Sequence, residues 1–109
     1  MAALGYIEIL DAKGNVTERV RIDSLPVHIG RAYSNHVVVD DPYVCPAHLT
    51  IEQNEQGDLI ARDLESVNGL YASGRSDRVA TLALRSGTQF RIGALESRRG
   101  RSVRSRTIR

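Results

Sequence analysis

The chain has no tryptophan, one phenylalanine, Phe90, and four tyrosines. Surfaces that grip single-stranded nucleic acid by stacking need more rings than this, so that class is disfavoured. The core must instead rest on Val, Ile and Leu, which suit a pleated, half-buried surface. A single cysteine, Cys45, cannot close an internal disulfide. The opening Met1-Ala2-Ala3-Leu4-Gly5-Tyr6 lacks the charged start and apolar run of a secretion signal, and the reducing cytoplasm is the expected location. No run approaches the roughly 20 apolar residues that cross a bilayer, so no membrane segment is expected within the chain. Lysine is nearly absent as well: Lys13 is the one lysine among 15 basic residues.

What is present, 109 residues with 41% hydrophobic content, suffices for one core without metal or disulfide staples. The net charge of +2 conceals an asymmetry: residues 1–90 hold 8 basic and 12 acidic side chains, whereas residues 91–109 hold 7 arginines and Glu96. Such a basic end can attract nucleic acid or an anionic surface. Its plainer reading is the solvent face of a last strand or a tail. The expected organisation is a β core over residues 1–94 followed by an Arg-rich C-terminal segment over 95–109.

Short alternating or apolar runs recur between turn signals, and no stretch sustains helical periodicity over three turns. Tyr6-Ile7-Glu8-Ile9-Leu10 and Thr17-Glu18-Arg19-Val20-Arg21-Ile22 flank a Gly14-Asn15 turn and predict a hairpin. Further strands are expected at residues 27–30, 37–39, 48–52, 58–63, 70–72, 79–82, 89–92 and, within the Arg-rich segment, 103–108. The fold class is therefore all-β, a two-sheet sandwich.

Between Gly30 and Gly69 the turn residues fall into a specific series: Gly30-Arg31, Ser34-Asn35, Asp40-Asp41-Pro42, Cys45-Pro46-Ala47-His48 and Asp63-Leu64-Glu65-Ser66-Val67-Asn68-Gly69. Their order and spacing resemble the forkhead-associated (FHA) domain family, and Gly87-x-x-Phe90-x-Ile92-Gly93 resembles a late strand of that family. The resemblance spans residues 6–92. It implies a sandwich of two antiparallel or mixed sheets with about eleven strands, whose apex loops bind a phosphothreonine-containing segment of a partner protein. It implies no enzymatic activity and no cofactor.

By the same resemblance, Arg31 is the arginine whose guanidinium fork meets phosphate and peptide carbonyls. Asn68 is the asparagine that pairs with the ligand backbone, and Ser66 belongs to the same binding loop. Gly30, His48 and Gly69 are structural: Gly30 lets the chain turn before Arg31, and His48 buttresses the recognition loop. The sequence departs from the family at three positions. Cys45 replaces the phosphate-binding serine, Pro46 replaces a polar or basic residue, and Val67 stands where Ser or Thr is common. A thiol is a weak donor, proline has no N–H and valine donates nothing. At about 1.5–3 kcal/mol per lost bond to a charged group, these losses weaken phosphate binding by orders of magnitude.

The function expected is a protein-interaction module of the FHA type with weakened or absent phosphothreonine dependence. The alternative is a conventional phosphothreonine reader in signalling. A redox role for Cys45 and nucleic-acid binding by the Arg-rich end are minor readings. Zinc at Cys45 and His48 lacks further ligands beyond His28 and His36. Catalysis by Ser34, His36 and Asp40, which a single short strand would turn to one face, has no accompanying oxyanion-hole signal.

Overall fold

A computed structural model describes residues 3–93 and 101–107. Ten strands are formed among these residues, the number that the residue pattern predicts and close to the eleven or so that the resemblance implies: β1 (Gly5–Leu10), β2 (Val16–Ile22), β3 (Val27–Gly30), β4 (Val37–Val38), β5 (Leu49–Gln53), β6 (Leu59–Asp63), β7 (Leu70–Ala72), β8 (Thr81–Leu84), β9 (Gln89–Ile92) and β10 (Arg101–Thr107). They form two five-stranded sheets, ordered β2-β1-β10-β9-β7 and β4-β3-β5-β6-β8. The β3–β4 pair is parallel and the other pairs are antiparallel.

Two hairpins show the local chemistry that sets register. In the β1–β2 turn the Asp11 carboxylate accepts the N–H groups of Lys13 and Asn15, both at 2.9 Å, and Gly14 takes φ +84°. The β5–β6 turn repeats the device: Asn54 Oδ1 accepts the N–H groups of Gln56 and Asp58 at 3.0 and 2.9 Å, and Gly57 takes φ +86°. In both, a side-chain acceptor and a residue free to adopt the left-handed region close the turn.

With register fixed, strand alternation sorts the side chains. Ile7, Ile9, Leu70, Phe90, Ile92 and Val103 from one sheet meet Val27, Ile29, Leu49, Ile51, Ala61 and Leu84 from the other in one core. The lone phenylalanine is spent at its centre.

The expected strand at residues 79–82 is displaced to Thr81–Leu84. Leu82 and Leu84 oppose Ala61 and Leu59 of β6, whereas the Val79 N–H bonds the Leu70 carbonyl from the preceding loop at 2.9 Å. Val79 thus packs on the core without joining the sheet. Ser34 and Asp40 lie outside the two-residue β4, so the strand that would have aligned them with His36 does not exist. The Arg-rich segment contributes β10, inserted between β1 and β9. Val103 and Ser105 are buried, while Arg104 and Arg106 alternate with them.

Candidate functional site

Three connections carry the residues singled out in the sequence: β3–β4 (residues 31–36), β4–β5 (39–48) and β6–β7 (64–69). Backbone bonds lock the first two together. Arg31 N–H bonds the Cys45 carbonyl at 2.9 Å, and Ala32 N–H bonds that of Pro46 at 3.3 Å. The Asn35 amide donates to the carbonyls of Ala32 and Pro46 at 2.7 and 2.6 Å. A Cβ at Gly30 would collide with the Pro46 carbonyl and meet the Asn35 amide nitrogen at 2.9 Å. Glycine is therefore required there by space, because two backbones approach each other.

Around this lock, His48 ties the loops to one another. It is fully buried. Its Nδ1 accepts the Cys45 N–H at 3.0 Å, so the ring proton must reside on Nε2, which donates to the Gly69 carbonyl at 2.9 Å. Its own backbone bonds Ile29 and Leu64, at 3.0 and 2.9 Å. Burial pushes the imidazole pKa below its usual range, so the ring is neutral at neutral pH. With both nitrogens engaged by backbone groups, His48 has no lone pair or proton available for the Cys45 thiol.

The third loop is held from below. Ser66 is buried; its hydroxyl donates to Asp63 Oδ1 at 2.6 Å and accepts the Gly69 N–H at 2.9 Å. Both roles of that hydroxyl are filled inside the loop, so Ser66 sits in the scaffold and not at the surface. Gly69 adopts φ +90°, with the Arg78 side chain packed where a Cβ would point. Arg78 was not visible as a site residue in the sequence. Its guanidinium donates to the carbonyls of Val67 and Ser66 and pairs with the nearly buried Asp63 carboxylate at 3.0 Å. Nothing in the local pattern at residues 73–78 marks it; the one clue was the Asp63 carboxylate, which needs a cation nearby.

On this frame the remaining positions converge. Cys45 Sγ accepts the Val67 N–H at 3.3 Å. The Asn68 amide donates to the Tyr43 carbonyl at 2.8 Å, leaving Asn68 Oδ1 without a partner among the described residues. Arg31 is exposed; its Nε bonds the Val44 carbonyl at 3.0 Å, and its terminal nitrogens have no partner among the described residues. Pro46 is exposed beside Cys45. Two apolar side chains stand out into solvent from these loops, Val67 at 80% and Tyr33 at 90% exposure. No motif in the sequence marks Tyr33, two residues beyond Arg31. The arrangement offers one guanidinium, one amide oxygen and apolar contacts on a rigid base. It suits an extended peptide and supplies no nucleophile–base pair.

A family model for the FHA domain matches residues 27–93, and the chain belongs to that family. FHA domains are protein-interaction modules, not enzymes. No curated protein matches the sequence. Among solved structures, EmbR of Mycobacterium tuberculosis in complex with a low-affinity phosphopeptide superimposes with TM-score 0.74 at 21% identity, covering 98% of this chain and 25% of the EmbR chain. The FHA domain of the CT664 protein from Chlamydia trachomatis gives 0.75 at 18% identity, covering 96% of this chain and 98% of that one. The N-terminal FHA domain of Rad53p from S. cerevisiae, in complex with a phosphothreonine peptide, gives 0.73 at 14% identity, covering 94% of each. Among the described residues no helix is long and apolar enough to cross a membrane.

Proposed function

We propose that this FHA domain holds an extended segment of a partner protein across its apex loops, with phosphothreonine dependence weakened or absent. The observation that carries the reading is the Cys45 thiol, which accepts the Val67 N–H where a serine of the family would donate to phosphate. Pro46 has no N–H to offer, Val67 has no hydroxyl, and the Ser66 hydroxyl is already used on both sides. Arg31 and Asn68 remain to grip the peptide, the former through its guanidinium and the latter through Oδ1. Tyr33 and Val67 add apolar contact where the family's ligand carries its charge. Gly30, His48 and Gly69 keep the loops in place. In this reading residues 1–94 and the strand supplied by 95–109 act as one module. Its location is the cytoplasm, consistent with a free Cys45 thiol.

One observation favours the conventional phosphothreonine reader: the terminal nitrogens of Arg31 are unpaired among the described residues and can meet a phosphate bidentately. Titrating matched phosphorylated and unphosphorylated peptides from an identified partner separates the two. The proposal expects a preference for phosphate below about a hundredfold, or roughly 2.7 kcal/mol; a larger preference establishes the reader. Cys45→Ser restores a hydroxyl donor, and the preference for the phosphorylated peptide is then expected to rise about tenfold or more.

A further inference from the structure

Outside the apex, the outer face of the β2-β1-β10-β9-β7 sheet gathers three arginines around one buried carboxylate, Glu8. Strand alternation turns Glu8 of β1 outward, and its register partners are Arg19 on β2 and Arg104 on β10. Arg106 lies one residue pair further along the same face, opposite Tyr6. All three arginines aim Nε at the Glu8 carboxylate: Arg104 at 2.7 Å, Arg106 at 3.2 Å and Arg19 at 3.5 Å. Among the described residues their terminal nitrogens have no hydrogen-bond partner. Among these residues each guanidinium is therefore half used, its Nε side held by Glu8 and its paired-nitrogen edge without a partner. Side-chain exposure is 55% for Arg19, 42% for Arg106 and 19% for Arg104, so the edges reach solvent. Gln89, opposite Arg104, extends the polar face toward β9.

We propose that this face is a second docking surface, independent of the apex and of how the apex reads phosphate, and that it takes an extended acidic segment of a partner protein. A guanidinium edge matches a carboxylate in bidentate geometry. Three guanidinium groups around one carboxylate leave an excess of two positive charges, which is the charge of two Asp or Glu side chains. Glu8 demonstrates the recognition chemistry, since burial alone would raise its pKa, yet the bonds from Arg104 and Arg106 hold it lowered.

The same features disfavour a polynucleotide. Its affinity grows with the number of phosphates neutralised, and an excess of two charges around a fixed carboxylate is small for that purpose. Base stacking needs open rings, whereas Tyr6 is covered by Arg19 at 4.4 Å and Tyr71 by Arg91 at 5.0 Å.

The test uses the full chain and three labelled probes read by fluorescence anisotropy at low salt: a short unphosphorylated peptide rich in Glu and Asp, its Gln/Asn counterpart, and an oligodeoxythymidylate of matched charge. The acidic peptide is expected to bind, and the combined Arg19→Glu, Arg106→Gln variant to bind it about tenfold more weakly. Arg104 stays intact so that Glu8 keeps its shortest bond, and a circular dichroism spectrum matching that of the parent chain verifies the fold. Arg62→Gln, an exposed position on β6 of the opposite sheet, is expected to leave this affinity unchanged. No binding of the acidic peptide, equal binding of the neutral one, native affinity in the combined variant, or tighter binding of the oligonucleotide would each overturn the proposal.

Discussion

Gly30 shows how little room single residues have at the apex. An alanine methyl would enter the space of the Pro46 carbonyl, and the loops must part to admit it. Gly30→Ala is expected to cost about 1–3 kcal/mol by urea denaturation, in the range of overpacking, and to weaken partner binding. Arg78→Met keeps the apolar stem beside Gly69 but strips three donations and leaves Asp63 without its cation. A stability loss of about 1–3 kcal/mol is expected, in the range for an unsatisfied buried group, together with broadened NMR signals for Val67 and Asn68. His48 supplies a pH signature. Its pKa lies below the usual 6.5 in the fold, so as pH falls the unfolded chain takes up the proton first. Stability then declines on acidification below about 6.5, with a slope approaching one proton per molecule. The His48 ring is expected to stay neutral by NMR below pH 6.5. These residues differ in how far the sequence revealed them. Gly30, His48 and Gly69 stand out in the sequence because each occupies a fixed place in a motif. Ser66 was legible as part of the loop, but not its inward turn, because a hydroxyl reads the same in a scaffold as at a surface. Arg78 and Tyr33 were not legible: an arginine fifteen residues from its carboxylate and an exposed tyrosine in a loop carry no periodicity.

Among elements, β10 is the most informative. It is not an edge: β1 flanks it on one side and β9 on the other. A chain ending at Gly93 would leave the facing edges of β1 and β9 unpaired and remove Val103 from the core. Such a chain is expected to lack native β-sheet signal by circular dichroism and to give collapsed amide dispersion by NMR. Alternation of Val, Arg, Ser and Arg at residues 103–106 made this strand readable despite its charge, since only every second side chain had to be apolar. β8 was misplaced by two residues for the complementary reason. Val79, Leu82 and Leu84 all touch the core, and hydrophobicity alone does not say which of them reach it from a loop.

For the molecule as a whole, the sequence asymmetry between an acidic body and a basic end resolves into a single sandwich in which strands from both regions share a sheet. Arg104 and Arg106 meet Glu8 across nearly the full length of the chain. With both sheets drawing on one core, thermal unfolding is expected as a single cooperative transition, coincident by fluorescence and circular dichroism. Pairing of such distant strands places refolding in the millisecond-to-second range typical of all-β topologies, measurable by stopped flow. The central position of β10 also bears on how the protein is made. During synthesis β1 and β2 emerge as a local hairpin well before β10, the strand that fills the middle of their sheet. Until β10 leaves the exit tunnel, β1 and β9 present open edges to other nascent chains. Those edges are expected to engage chaperones during translation until β10 pairs with them.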